Sequence, residues 1–159
     1  MIAGAGVGFY MVALPFEQLL LKFLLYQLHK TIGLTVFALA VTQIVLHYRR
    51  GRPAWESGTP RWQRRSARAT HLALFGLLIA TPLLGYLTAA TAPAHIPTLF
   101  LGVLPIPHVV GVDRFWFGIL RRVHLALAIL ILALATVHAS AAVNHHRRGR
   151  RVLARMWRG

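Results

Sequence analysis

His124 and His138 stand fourteen residues apart in an otherwise aliphatic run, VHLALAILILALATVHASAAVNHH (123–146). At about 100° per residue, fourteen steps return to within roughly 40° of the starting direction and rise about 21 Å. On a helix, both imidazoles therefore look out from one face at two depths. An ionisable side chain inside an apolar span is costly and marks function by default. The plainer role for a neutral histidine there is an interhelical hydrogen bond.

Depth along the helix decides which histidines can meet. His29 lies 20 residues before Arg49, about 30 Å along a helix, and His124 lies 23 before Arg147, about 34 Å. The two share a level on parallel helices. Two neutral imidazoles facing each other can hold an iron between them. Haem iron accepts axial histidine, and helical bundles build such sites from facing helices. Gly33, one turn beyond His29, leaves room for a flat macrocycle or a close helix contact.

The remaining histidines are less well placed. His138 sits about 13 Å above its basic boundary, and its partner is not evident. His47 is two residues from Arg49, and His71 is three residues after Arg68, about 4 Å in. Both are too shallow for simple pairing with His138, and they read as propionate or quinone contacts or as boundary residues. His145 and His146 adjoin the basic tail and are expected to be solvated. His95 and His108 read as loop surface.

These residues need long apolar elements to position them. No Asp, Glu, Lys or Arg occurs in 31–48, 69–112 or 123–146, and the 159-residue chain is 57% hydrophobic. A span needs about 20 apolar residues, so each block can cross a bilayer. The expected fold is all-α: one membrane-embedded domain, 1–159, with full spans at 23–48, 69–91 and 119–144 and a partial span at 1–14. Pro82 and Gly85 inside the third span are tolerated where neighbours satisfy the backbone. The Pro- and Gly-rich stretch 92–118 reads as an outer loop with an interfacial or re-entrant piece. Phe115 and Trp116 suit its membrane boundary.

The net charge of +15 raises nucleic acid as a partner, but its placement argues against one. Seven arginines fall in 49–68 and six in the tail 145–159, both flanking spans. That is the pattern of cytoplasmic loops, with the C-terminus inside. The tail RRVLARMWRG sets apolar and basic residues on opposite sides, as in a helix lying on the inner surface. The absence of cysteine removes disulfides and iron–sulfur ligation.

The first fourteen residues, ending before Pro15 and Glu17, are too few to span and lack the basic start of a signal peptide. They read as the outer half of a span whose inner half is missing: either it lies upstream of Met1, the favoured reading, or the chain begins mid-membrane.

LHKTIG (28–33), THLALFGLLIATPLLGYL (70–87) and VHLALAILILALATVHASAAVNHH (123–146) together resemble the bacterial cytochrome b561 family, from about Gly8 onward. The paired histidines of the last span are the most specific element. The resemblance implies a four-helix di-haem cytochrome of the inner membrane. His29 and His124 match the axial ligands of the outer haem, and His138 matches one ligand of the inner haem. His71 matches a recurrent histidine that is not usually a ligand. Arg121 stands where the family often has a lysine. Gln43 stands where similar proteins often carry an arginine that suits a propionate. The other inner ligand would fall before Met1. The chain as written thus supports one haem b, and two if an upstream histidine is restored.

A bis-histidine haem leaves no open position at iron, so one-electron transfer is the expected activity. The partners expected are the lipid bilayer, a quinone, an unidentified electron donor or acceptor, and further copies in an oligomer. The family also implies an alternative, superoxide:quinone oxidoreductase. For it, Lys30, Arg121 and Arg122 would form a cationic rim that steers an anion; otherwise they are interface anchors. A rival from another class is a haem-free assembly or transport subunit on the same scaffold, although no acid lies within a span to serve a relay.

Overall fold

A computed structural model describes residues 1–50 and 58–147. The expectations for the tail helix, for the 51–57 part of the basic loop and for the side chains of His145 and His146 fall outside the described residues. Among the described residues four helices run in chain order: α1 (Ile2–Ala13), α2 (Leu19–Arg50), α3 (Arg61–Thr91) and α4 (Arg114–Arg147). Three stretches are long and apolar enough to cross a membrane, Phe16–Arg49, Arg61–Thr91 and Arg114–Asn144. Each overlaps a charge-free block read from the sequence and begins before it, because a helix continues through the polar boundary where charged side chains can snorkel.

The helix surfaces are those of a chain solvated by lipid. Leu72 is 76% exposed, Leu20 73% and Val137 66%. In water so much contiguous apolar surface would drive association. Buried apolar side chains are few, among them Met11, Ala40, Ala90 and Ile131.

Each helix packs on its neighbour in sequence, α1 on α2, α2 on α3 and, most extensively, α3 on α4. By contrast, α2 and α4 are not packed directly along their lengths. Helix α1 has 12 residues, about 18 Å, and lies against the end of α2 that carries His29 and Ile32. Leu14 is extended at φ −63°, ψ 136°, as a residue before proline prefers. A 3₁₀ turn, Phe16–Gln18, then leads into α2. Lys22 donates to the Leu14 carbonyl at 2.7 Å and lies over the Phe16 ring, closing this corner.

The loop between α3 and α4 adds a short strand pair to the all-α bundle. It holds a small antiparallel hairpin, β1 (Thr98–Phe100) and β2 (Leu104–Ile106), with Thr98 opposite Ile106 and Phe100 opposite Leu104. Its turn has positive φ at both Leu101 (53°) and Gly102 (77°), the requirement of the tight turn that matches strand twist. The hairpin is bonded to α2. Gln27, 5% exposed, donates to the Pro97 carbonyl and accepts from the Leu99 amide, both at 2.9 Å. Lys30 donates to the Ile96 and Pro97 carbonyls, and the Thr31 hydroxyl accepts from Leu101 N–H. At the loop's other end Asp113 caps α4, accepting from the Phe115 and Trp116 amides.

Candidate functional site

The rings of His29 on α2 and His124 on α4 face each other with centroids 6.1 Å apart and planes at 90°. The depth count from Arg49 and Arg147 thus brings together the pair it predicts. They meet across the space between two helices that, among the described residues, do not pack extensively on each other.

Each ring is held from behind by a helix that does not carry it. His29 Nδ1 lies 2.9 Å from the Gly4 carbonyl of α1, and His124 Nδ1 lies 2.9 Å from the Thr81 carbonyl of α3. A carbonyl can only accept, so Nδ1 carries the proton in both rings. In a neutral imidazole that leaves the lone pair on Nε2, the atom free to bind a metal. The two anchors are built alike. Four residues after each carbonyl comes a glycine, Gly8 or Gly85, lying against the ring. In both cases Nε2 is the ring nitrogen farther from the glycine, at 3.8 Å and 3.5 Å from where a Cβ would stand.

At the basic end, His71 of α3 and His138 of α4 lie with ring centroids 5.2 Å apart and planes at 72°. The sequence count placed His71 too shallow for this meeting, because it took Arg68 and Arg147 as one level. The helix pairing shows otherwise. The fourteen residues from His124 to His138 on α4 are matched by the fourteen from Gly85 back to His71 on α3. This register puts Arg147 level with Trp62, about 9 Å below Arg68. His71 is therefore deeper than its distance from Arg68 suggests. His47 of α2 lies within electrostatic reach of His71.

The other candidates are distributed around these pairs. A Cβ on Gly33 would meet nothing within 4 Å, so the space expected beside His29 is open. Gln43 is exposed on α2. Lys30 is engaged with the Ile96 and Pro97 carbonyls, while Arg121 and Arg122 are exposed on α4. His95 and His108, read as plain surface, form a cluster on the loop. Their rings are 5.8 Å apart, and His108 Nε2 is 3.0 Å from the hydroxyl of the buried Thr98. The Tyr86 ring lies 6.0 Å from His108, and its hydroxyl donates to the Pro107 carbonyl and accepts from Val109 N–H. Burial, followed by the charges of Lys30 and His95, holds the His108 pKa below its usual 6.5.

The donor set distinguishes a bare metal ion from a macrocycle. Among the described residues no group of three or more metal-binding side chains comes together. A protein-held ion such as zinc calls for three or four protein donors. A haem brings four nitrogens of its own and asks the protein for axial ligands only. Two facing imidazoles suit the second case. A further sign is the Thr81 hydroxyl, buried without a hydrogen-bond partner beside the anchor of His124. Other helix threonines here, such as Thr35, Thr88 and Thr136, bond back to the carbonyl one turn earlier. The His29–His124 region therefore fits a bound haem. The His71–His138 pair has the right donors but lies between helices that pack directly.

Sequence reasoning did not find the Gly4–Gly8 and Thr81–Gly85 anchors. The available signal was a glycine near the depth of each histidine, on the helix adjacent in the chain. Nor did it find Gln27, whose polar amide in an apolar run was the hint of a tether.

Comparison with known proteins completes the assignment. "Cytochrome b561 homolog 1" of Escherichia coli (strain K12) is 28% identical over 123 residues, covering 77% of this chain and 68% of that protein. The profile of the prokaryotic cytochrome b561 family matches residues 1–159. With four helices, three able to span a bilayer and two facing histidine pairs, the chain belongs to the prokaryotic cytochrome b561 family, membrane proteins that bind haem b and transfer electrons.

Proposed function

We propose that His29 and His124 are the axial ligands of one haem b, and that His138 is a ligand of a second, with His71 as a contact beside it. The observation carrying this reading is the first pair, 6.1 Å apart with both Nδ1 atoms committed to carbonyls. Haem supplies reversible one-electron redox chemistry when bound. The protein's residues define what that chemistry is used for. With both axial positions taken by imidazole, no side of the iron is open to a substrate, so the site serves electron transfer.

The two histidine pairs are about 21 Å apart along α4, so electrons pass between the hairpin end and the basic end of the bundle. The basic end lies in the cytoplasm of a bacterium, with the C-terminus inside, as the arginines flanking the spans support. The electron partner within the membrane is a quinone, bound near the basic end, where exposed His47 supplies a polar contact. Superoxide as a donor has weaker support. Lys30 is engaged with loop carbonyls, which leaves Arg121 and Arg122 to form any cationic rim.

The test is a pyridine haemochrome assay on the purified protein and on His124→Ala. The expected result is a b-type signal that falls by one haem per chain in the variant, with insertion in the membrane unchanged. Full haem retention in His124→Ala would overturn the assignment.

A further inference from the structure

Gly8 and Gly85 occupy equivalent places although they lie on different helices. A Cβ built on Gly8 would stand 2.8 Å from His29 Cε1 and 3.1 Å from Nδ1; on Gly85 it would stand 2.9 Å and 3.2 Å from the same atoms of His124. Contacts under 3.0 Å are not sustained by real side chains, so something must shift. The threatened edge in each ring is the Nδ1–Cε1 edge, which also makes the 2.9 Å bond to the carbonyl four residues earlier.

That carbonyl already serves its own helix, since in an α-helix it accepts from the amide four residues on. For Gly4 and Thr81 that amide belongs to Gly8 and Gly85. A side chain at this position would stand where the imidazole approaches. Glycine leaves the carbonyl open to a second donor from a neighbouring helix.

We infer that Gly8 and Gly85 are positioning residues that admit His29 and His124 to the carbonyls of Gly4 and Thr81, fixing the tautomer and the crossed orientation of the two axial rings. This deepens the haem assignment above and rests on it. A hydrogen bond from Nδ1–H to a carbonyl raises the basicity of the ligating nitrogen. A more basic ligand favours the oxidised iron, so the two anchors hold the reduction potential down. The His71–His138 pair has no such anchor among the described hydrogen bonds, and Gly76, the glycine of α3 nearer to it, has nothing within 4 Å of a built Cβ. The two pairs are thus set to differ in potential by their backbone surroundings.

The same helices provide the controls, because Gly6 on α1 and Gly76 on α3 also face open space. The experiment compares Gly8→Ala and Gly85→Ala with Gly6→Ala and Gly76→Ala in the purified holoprotein. Spectropotentiometric titration and the electron paramagnetic resonance of the oxidised form, which reports the angle between axial rings, are the readouts. The first two variants should raise the midpoint potential of one haem and change its resonance; the controls should overlay the unmodified protein. All four variants behaving alike would overturn the inference. Should the alanine variants fail to fold, ¹⁵N-histidine spectra of the reduced, unmodified protein decide the matter. Two axial Nδ1–H protons slow to exchange support the anchors, and rapid exchange refutes them. A purified protein with no haem at all would instead refute the assignment beneath.

Discussion

His71 and His138 lie ring to ring at 5.2 Å, on two helices that pack directly against each other. If His71 is the second ligand of the basic-end haem, His71→Ala should lower haem content from two per chain to one and leave the His29–His124 haem spectrally unchanged. Haem per polypeptide by pyridine haemochrome checks this. An unchanged count would show that His138 takes its partner elsewhere.

Gln27 satisfies two backbone groups of the hairpin segment from a position 5% exposed. Gln27→Leu leaves the Leu99 amide without its partner and the Pro97 carbonyl with Lys30 alone. The loss at the amide costs about 1–3 kcal/mol. The expected outcome is faster hydrogen exchange at Leu99 and its neighbours, with the spans protected as before. Exchange at unmodified rates would mean that the Lys30 and Thr31 bonds hold the hairpin without it.

His108 makes the loop sensitive to acid. Its folded pKa lies below the usual 6.5 because of burial and the facing charges of Lys30 and His95. Below pH 6.5 the opened loop therefore binds more protons than the folded one, and stability rises with pH across that window. The folded hairpin is favoured above about pH 6.5 and loses that advantage as pH falls toward the lowered value. Hydrogen exchange of the hairpin amides between pH 7.5 and 5 should show this loss. His108→Gln, which cannot take a proton, should flatten the profile, and an equally steep profile in that variant would point to another group.

The sequence carried much of this architecture because charge is so costly in a bilayer. Blocks without Asp, Glu, Lys or Arg identify the three long helices, and counting from Arg49 and Arg147 pairs His29 with His124. The same ruler failed for His71, since arginines can sit at different levels on adjacent helices and still reach water. The hairpin was not legible. Its strands are three residues each, too short to show a period of two, and Leu101 at positive φ gives no compositional warning. The carbonyl anchors escaped because a backbone acceptor has no letter of its own. Only the glycine that uncovers it appears in the sequence.

The separation of α2 from α4 has a consequence for assembly. Among the described residues these helices meet chiefly through one pair of imidazoles, while α2 packs on α1, α3 and β1, and α4 on α3. A ligand gripped by both rings would therefore add a direct tie between α2 and α4 to the packing of each on α3. Binding to the folded form alone stabilises it by mass action, so cofactor loading and closure of the bundle become one event. Until the cofactor arrives, α2 and α4 would be held together through α3 and the loop hairpin.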